Sequence, residues 1–366
     1  MKKEFLISTF IFTFFVLSVA GQNPRDAFNK NSLTQHQVSM IDYLALSNNS
    51  LGWWSKSYLL DYLLIAGGTM GYVTGKGLEP REKSLIGPSY DPDNLLELFQ
   101  SDRLSKPHLQ QDVEEAVPEY WIHRSIAGMG ALLVGIEWRE QQRGRGSVQQ
   151  IHDVFVGYAQ SVALNAMVTE FSKPLFSRLR PDFRERALRF HCPDLDGPEF
   201  EPYCADFRDN PLSDNPEEVR DLFDDGRKSF ISGHSSNAFN LFGYTTLAIG
   251  GRYVWGTDAS PGSRKAGIAA QSVLMSAAAY ISVSRITDGR HHVSDVIAGA
   301  ATGTLIANLS YWLRFNRDGN SRRSLKNSNS FEQNANNRFR DNAEVQLSPW
   351  VAGANSGGGF SLSVSF

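Results

Sequence analysis

Cysteine is scarce: Cys192 and Cys204 are the only two in 366 residues. That excludes a disulfide-dense scaffold. There is no Cys-x-x-Cys pair, and His191 beside Cys192 has no recognised ligand spacing, so nothing points to a metal site. A basic excess is also missing. Lys and Arg total 36 against 39 Asp and Glu, for a formal net charge of -3 and a pI near 6.3. Nucleic-acid binders carry a basic face and a high pI, and that class of partner is set aside. Long apolar runs are few. Mean hydropathy is -0.31. Only Ala266–Ser284 and Val296–Leu313 approach the ~20 apolar residues of a membrane span, and both contain polar residues. Even so, 41% of the chain is hydrophobic and 20% charged, which excludes a disordered or fibrous protein.

What is present begins at the N-terminus. Met1-Lys2-Lys3 is a basic start, Leu6 to Leu17 is mostly apolar, and Ser18-Val19-Ala20 offers small residues for cleavage. This three-part pattern predicts a secretory leader over 1–20; an N-terminal anchor is the alternative. Cleavage after Ala20 would move the net charge to -4 by removing Lys2, Lys3 and Glu4. The expected location is then extracytoplasmic, in a bacterial periplasm or envelope, with membrane association. In such an oxidising compartment Cys192 and Cys204 read as one disulfide; two buried thiols are the other reading.

After an N-terminal segment over 21–57, six uncharged stretches follow: Tyr62–Gly75, Ser125–Ile136, Val154–Thr169, Ser229–Gly251, Ala266–Ser284 and Val296–Leu313. They lack sustained two-residue alternation, and their lengths suit helices. The expectation is an all-α body over 58–314, a bundle of about six core helices, soluble or docked on a membrane surface rather than fully integral. The connection from Pro181 to Lys228 is acidic, and its prolines disfavour long helices. Eight of the 27 residues from Asn316 to Asn342 are Asn, which reads as a flexible linker over 315–343. Over 344–366, alternating Val345, Leu347 and then Phe360, Leu362, Val364, Phe366 flank Gly357-Gly358-Gly359, the pattern of a β-hairpin.

The chemistry lies in three pieces. Lys173 and Arg180, seven apart on a helix, fall near one face. Ser232-Gly233-His234 opens a helix, whose first N–H groups favour an anion, and places His234 beside that anion. Arg285 supplies a fork for phosphate oxygens. His291 and Asp295 are an i, i+4 pair, so a helix starting near His291 would let the carboxylate orient the imidazole. Any piece alone reads equally as surface charge, a capped helix or a structural pair.

Lys-x6-Arg-Pro, Ser-Gly-His and Ser-Arg-x5-His-x3-Asp, in that order, resemble the signature of the type 2 phosphatidic acid phosphatase and vanadium haloperoxidase superfamily. The wording of Arg178–Phe183 and Arg290–Asp295 is similar to the lipid phosphate phosphatase branch. One departure is Ile231, where the family usually has proline before Ser-Gly-His; this leaves the loop entry less fixed. The resemblance implies a helical fold of the acid phosphatase and haloperoxidase type, and a metal-independent phosphatase without cofactor. Lys173, Arg180, Ser232, Gly233 and Arg285 would hold phosphate. His291, selected over His292 by spacing, would attack phosphorus, and Asp295 would hold its ring. His234, with a raised pKa, would protonate the leaving alcohol, while the helix N-terminus would keep His291 neutral. The implied substrate is a phosphorylated lipid, such as phosphatidate or a prenyl diphosphate, or a small phosphomonoester. A haloperoxidase with vanadate in the same cradle is one rival, and a non-catalytic envelope protein another. The sequence does not specify an oligomeric state.

Overall fold

The computed structural model describes residues 51–101, 116–207, 215–323, 345–350 and 359–364. The expected leader and most of the Asn-rich stretch lie outside them. Two compact units divide the chain near Arg322.

The first unit is built on long helices: α1 Leu51–Lys76, α3 Glu119–Gln142, α4 Val148–Phe176, α8 Gly233–Ile249, α9 Pro261–Thr287 and α10 Val293–Trp312. Local chemistry sets their ends. Ser147 and Ser260 accept from Gln150 N and Ser263 N at 3.1 and 3.2 Å, satisfying N-terminal donors that have no intrahelical partner. Pro261 occupies the first turn of α9, where a missing N–H costs nothing. At the other end of α4, Pro174 sits in the last turn and Ser177 caps it at φ 47°, in the left-handed region. Two bonds over-determine that conformation: Ser177 N–H donates to Lys173 O at 2.9 Å and Ser177 Oγ to Pro174 O at 2.7 Å.

Helix α8 lies at the centre, against α10, α9, α4 and α3, and α1 packs on α4. Its contact with α10 is backbone-close. A Cβ at Gly303 would fall 2.1 Å from Ser236 O, and one at Gly299 2.6 Å from Ser232 O. The α4–α8 seam is hydrogen-bonded as well as packed: Ser236 Oγ donates to Asn165 Oδ1 at 2.7 Å and Asn240 Nδ2 to Ser161 Oγ at 2.8 Å, all buried. Leu133, Val154, Tyr158, Leu241, Tyr244 and Tyr311 form the apolar core around it. Large apolar side chains nevertheless stay exposed, among them Leu60 on α1, Val273 on α9 and Ile297 on α10. Among the described residues, one helix, α9, is long and apolar enough to cross a membrane.

The acidic connection folds into short helices, α5 Phe183–His191, α6 Glu201–Cys204 and α7 Pro216–Gly226. With α2 (Leu95–Gln100) they enclose an apolar cluster of Phe99, Leu179, Phe183, Leu188 and Phe223. A disulfide joins Cys192 to Cys204 inside this cluster. Beyond α10 the backbone remains attached to the bundle through Arg322. Phe315 and Ser321 are fully buried, and Gln150 donates to Gly319 O at 2.8 Å and accepts from Ser321 N at 2.6 Å. The first part of the segment read as a flexible linker is therefore packed. Its asparagines serve there as hydrogen-bonding groups, as when Asn320 Oδ1 accepts from Arg252 at 2.7 Å.

In the second unit, β1 Val345–Trp350 and β2 Gly359–Val364 pair antiparallel, with Val345 opposite Val364 and Leu347 opposite Leu362.

Candidate active site

Four helix ends converge. The C-terminus of α4 brings Lys173 and, just beyond the Ser177 cap, Arg178 and Arg180. Ser232 is the N-cap of α8 and His234 its second residue. Arg285 lies in the last turn of α9, and His291 in the turn leading into α10. Lys173, Arg180, Gly233, His234, Arg285 and His291 line one cavity of about 900 Å³. Ser232 and Asp295 are buried behind its wall. The disulfide pair lies apart, in the α5–α6 cluster.

The cations of this wall are paired. Lys173 Nζ lies 2.6 Å from Glu170, Arg180 Nη2 2.8 Å from Asp225, and Arg285 Nη2 2.5 Å from Asp288. Burial pushes the Asp225 carboxyl up, but Arg180, Arg186, Lys173 and Arg290 outweigh it and hold it well below the usual carboxylate range.

The two histidines are held by backbone. His291 Nδ1 lies 2.8 Å from Ser229 O, and His234 is hydrogen-bonded to the Val117 backbone. The Nε2 of His234 is buried and has no hydrogen-bond partner among the described residues. Burial, then the charges of Arg285, Lys173 and Arg180, push the His234 pKa down to about 3. The expected upward shift of His234 is therefore reversed in this site, because the ring is buried and three cations surround it. His291 is held well below its ordinary value by burial, then Arg180, His234 and Lys173. Burial and these charges favour its neutral form.

Asp295 also departs from expectation. Helix α10 begins at Val293, so His291 precedes it and the i, i+4 contact is loose: Nδ1 to Oδ2 is 3.9 Å, beyond hydrogen bonding. Asp295 instead accepts from Arg178 Nη1 at 2.6 Å, Ser229 Oγ at 2.6 Å and His292 N at 3.1 Å. The loop before Ser-Gly-His is pinned despite lacking proline. Ile231 N–H donates to Ser172 Oγ at 3.2 Å, a bond proline could not make, and Ser232 N–H donates to Asp295 O at 3.1 Å. Ser232 Oγ, assigned to the anion from sequence, accepts from Ser235 N at 3.5 Å.

Sequence reasoning did not single out Glu170, Arg178, Asp225, Ser229 or Asp288. Arg178 and Ser229 did stand inside the stretches that carry the motifs. The arrangement offers cations and a helix N-terminus for an anion, with two neutral imidazoles beside it.

The PAP2 superfamily matches this chain over residues 155–318, which include Lys173, Arg180, Ser232, Gly233, His234, Arg285, His291 and Asp295. Lipid phosphate phosphatase 2 of Arabidopsis thaliana is 30% identical over 167 residues, covering 46% of this chain and 52% of the relative. Diacylglycerol pyrophosphate phosphatase 1 of Saccharomyces cerevisiae is 31% identical over 166 residues, covering 44% and 53%. Lipid A 1-phosphatase of Porphyromonas gingivalis is 33% identical over 85 residues, covering 23% and 16%. The chain thus spans about half the length of the first two relatives. No solved structure matches it. Residues 155–318 are therefore similar to the PAP2 superfamily, and over that stretch the chain is type 2 phosphatidic acid phosphatase-like.

Proposed function

We propose that this protein hydrolyses phosphate monoesters of lipids, without a metal ion, through a phosphohistidine. One observation carries the reading: Lys173, Arg180, Arg285, His234 and His291 line a single cavity. The three cations and the α8 N-terminus bind the phosphate oxygens and stabilise the charge of the transition state. Neutral His291 attacks phosphorus through Nε2, and the bond to the alcohol oxygen breaks. His234 gives its Nε2 proton to that oxygen. Water then attacks the phosphohistidine, His234 takes the water proton, and phosphate leaves with His291 restored. Burial and the cations of the site disfavour a proton on His234; a phosphate dianion among those cations offsets their charge and allows His234 to carry one.

The apolar side chains exposed on α1, α9 and α10 support residence against a lipid phase, and with it a lipid substrate. The names of the relatives support the same substrate class. The leader pattern supports an extracytoplasmic site, in a periplasm or envelope, with the 344–366 hairpin as an appended tail. The test is a panel of phosphatidate, a prenyl diphosphate and soluble phosphomonoesters, assayed with wild type and His291→Ala. Turnover should favour lipid phosphates, survive EDTA, yield to vanadate and vanish in the variant. Near-wild-type turnover by His291→Ala would overturn the mechanism. Halide oxidation with peroxide and vanadate, in place of hydrolysis, would instead establish the haloperoxidase reading.

A further inference from the structure

Three residues close a ring behind the nucleophile. The carbonyl of Arg178 accepts from Ser229 N at 3.0 Å. The Arg178 guanidinium donates to Asp295 Oδ1 at 2.6 Å, and the Ser229 hydroxyl donates to Asp295 Oδ2 at 2.6 Å. From that ring the Ser229 carbonyl reaches His291 Nδ1 at 2.8 Å, while the nearer Asp295 oxygen stays 3.9 Å away. Ser229 and Asp295 are fully buried, and Arg178 is mostly so, with its Nη1 also donating to Ser294 Oγ at 2.6 Å.

We propose that Arg178 is a positioning residue of the reaction: it neutralises Asp295, so that the His291 ring is oriented by the Ser229 carbonyl and not captured by the carboxylate. A buried, unpaired carboxylate is costly, and an imidazole within 4 Å is the group that would answer it. With Arg178 in place, Asp295 has a cation on one oxygen and two neutral donors on the other. His291 then keeps its Nδ1 proton on a neutral acceptor, which fixes the tautomer that leaves Nε2 basic. Ser229 is the joint between the two, with its hydroxyl on the carboxylate and its carbonyl on the ring. The other charged and titratable groups around His291 are Lys173 and Glu170 on α4, Arg180 beyond it, Asp225 on α7, His234 on α8, Arg285 on α9 with its partner Asp288, and the adjoining Arg290. The cations among them oppose its protonation, and His234 is pushed down by the same charges. Removing Arg178 takes away the counter-charge of Asp295, which lies 3.9 Å from the ring.

This assignment rests on the phosphatase reading, and its test separates the two. Arg178→Gln leaves Asp295 uncompensated, which favours the imidazolium of His291. The acid limb of kcat/KM, which reports a nucleophile that must be neutral, should move up by about one pH unit or more. Arg178→Lys keeps the charge and should leave the limb in place while lowering kcat. Ser229→Ala should lower kcat about tenfold or more with vanadate inhibition unchanged, since the cation cluster is untouched. An NMR titration of His291 in wild type and Arg178→Gln reads the same shift without turnover. An unmoved limb and an unmoved His291 titration in Arg178→Gln would overturn the proposal, as would a Lys variant that shifts as far as the Gln variant. A wild type inactive on every phosphate would overturn the phosphatase reading alone.

Discussion

Three cations of the cavity wall each meet a carboxylate: Lys173 with Glu170, Arg180 with Asp225, which Arg186 shares, and Arg285 with Asp288. Such pairing keeps a concentrated positive cluster tolerable while no anion is bound. It also means that an arriving phosphate competes with side chains already in place. Glu170 and Asp225 both line the cavity, and Glu170 is the clearer competitor because it holds Lys173 at 2.6 Å while Asp225 is shared with Arg186. Glu170→Gln removes one negative charge beside the anion and frees the ammonium. Vanadate inhibition of that variant should tighten by roughly 3- to 10-fold, read as Ki against wild type. A weaker Ki would mean that Glu170 serves chiefly to aim Lys173, and the competition argument would fall.

At the scale of elements, the site depends on how closely α8 and α10 approach, since α8 carries His234 and the turn before α10 carries His291. Gly303 sets that approach: its missing Cβ makes room for Ser236 O. Gly303→Ala should cost about 1–3 kcal/mol by forcing the helices apart, and should lower kcat/KM with it. Gly128, in α3 with open space around it, is the control; its replacement by Ala should stabilise by up to about 1 kcal/mol. Denaturant melts of the two variants check both signs, and equal melts would refute the packing argument. The six long helices were legible because each contains an uncharged stretch. Their ends were not, because first turns carry polar residues after caps such as Ser147 and Ser260. Lys173, Arg180, His234, Arg285 and His291 were legible as residue types at fixed spacing, and the structure brings them to one cavity. The Ser229 and Val117 backbone contacts leave no such trace, since every residue carries the same backbone groups. Helices α5 to α7 were illegible for another reason. They are short, and their cluster is assembled from Phe99 on one side and Phe223 on the other, far apart in sequence.

On the scale of the whole molecule, polarity is partly inverted. Asp153, Asn165 and Thr169 are buried on α4, while Leu60 and Val273 face outward. The mean hydropathy of -0.31 therefore describes neither the inside nor the outside. Burying titratable groups in this way makes stability depend on pH, and the sign follows from the two cavity histidines, with His191, also pushed down by burial, adding in the same direction. Unfolded, both titrate near 6.5; folded, His234 is pushed down to about 3 and His291 also lies well below 6.5. As pH falls, the unfolded chain takes up these protons first, so the fold loses stability progressively from about pH 6.5 toward 3. Asp225, depressed by its arginines, adds a loss in the same direction that begins only near its unfolded value of 3.8. Thermal unfolding of the full chain in detergent should therefore show Tm falling between pH 6.5 and 4.5, with the histidine losses outweighing the opposite contribution of Glu137, whose carboxyl burial pushes up. His234→Asn removes one of the two histidines and should flatten that segment while leaving the steeper acid loss in place. Saturating vanadate, whose negative charge offsets Lys173, Arg180 and Arg285, should flatten it as well by raising both histidine pKa values toward 6.5. A Tm that stays level from pH 6.5 to 4.5 in the wild type would show that the histidines are not held neutral by the fold. The electrostatic description of the cavity would then have to be redrawn from the cations outward.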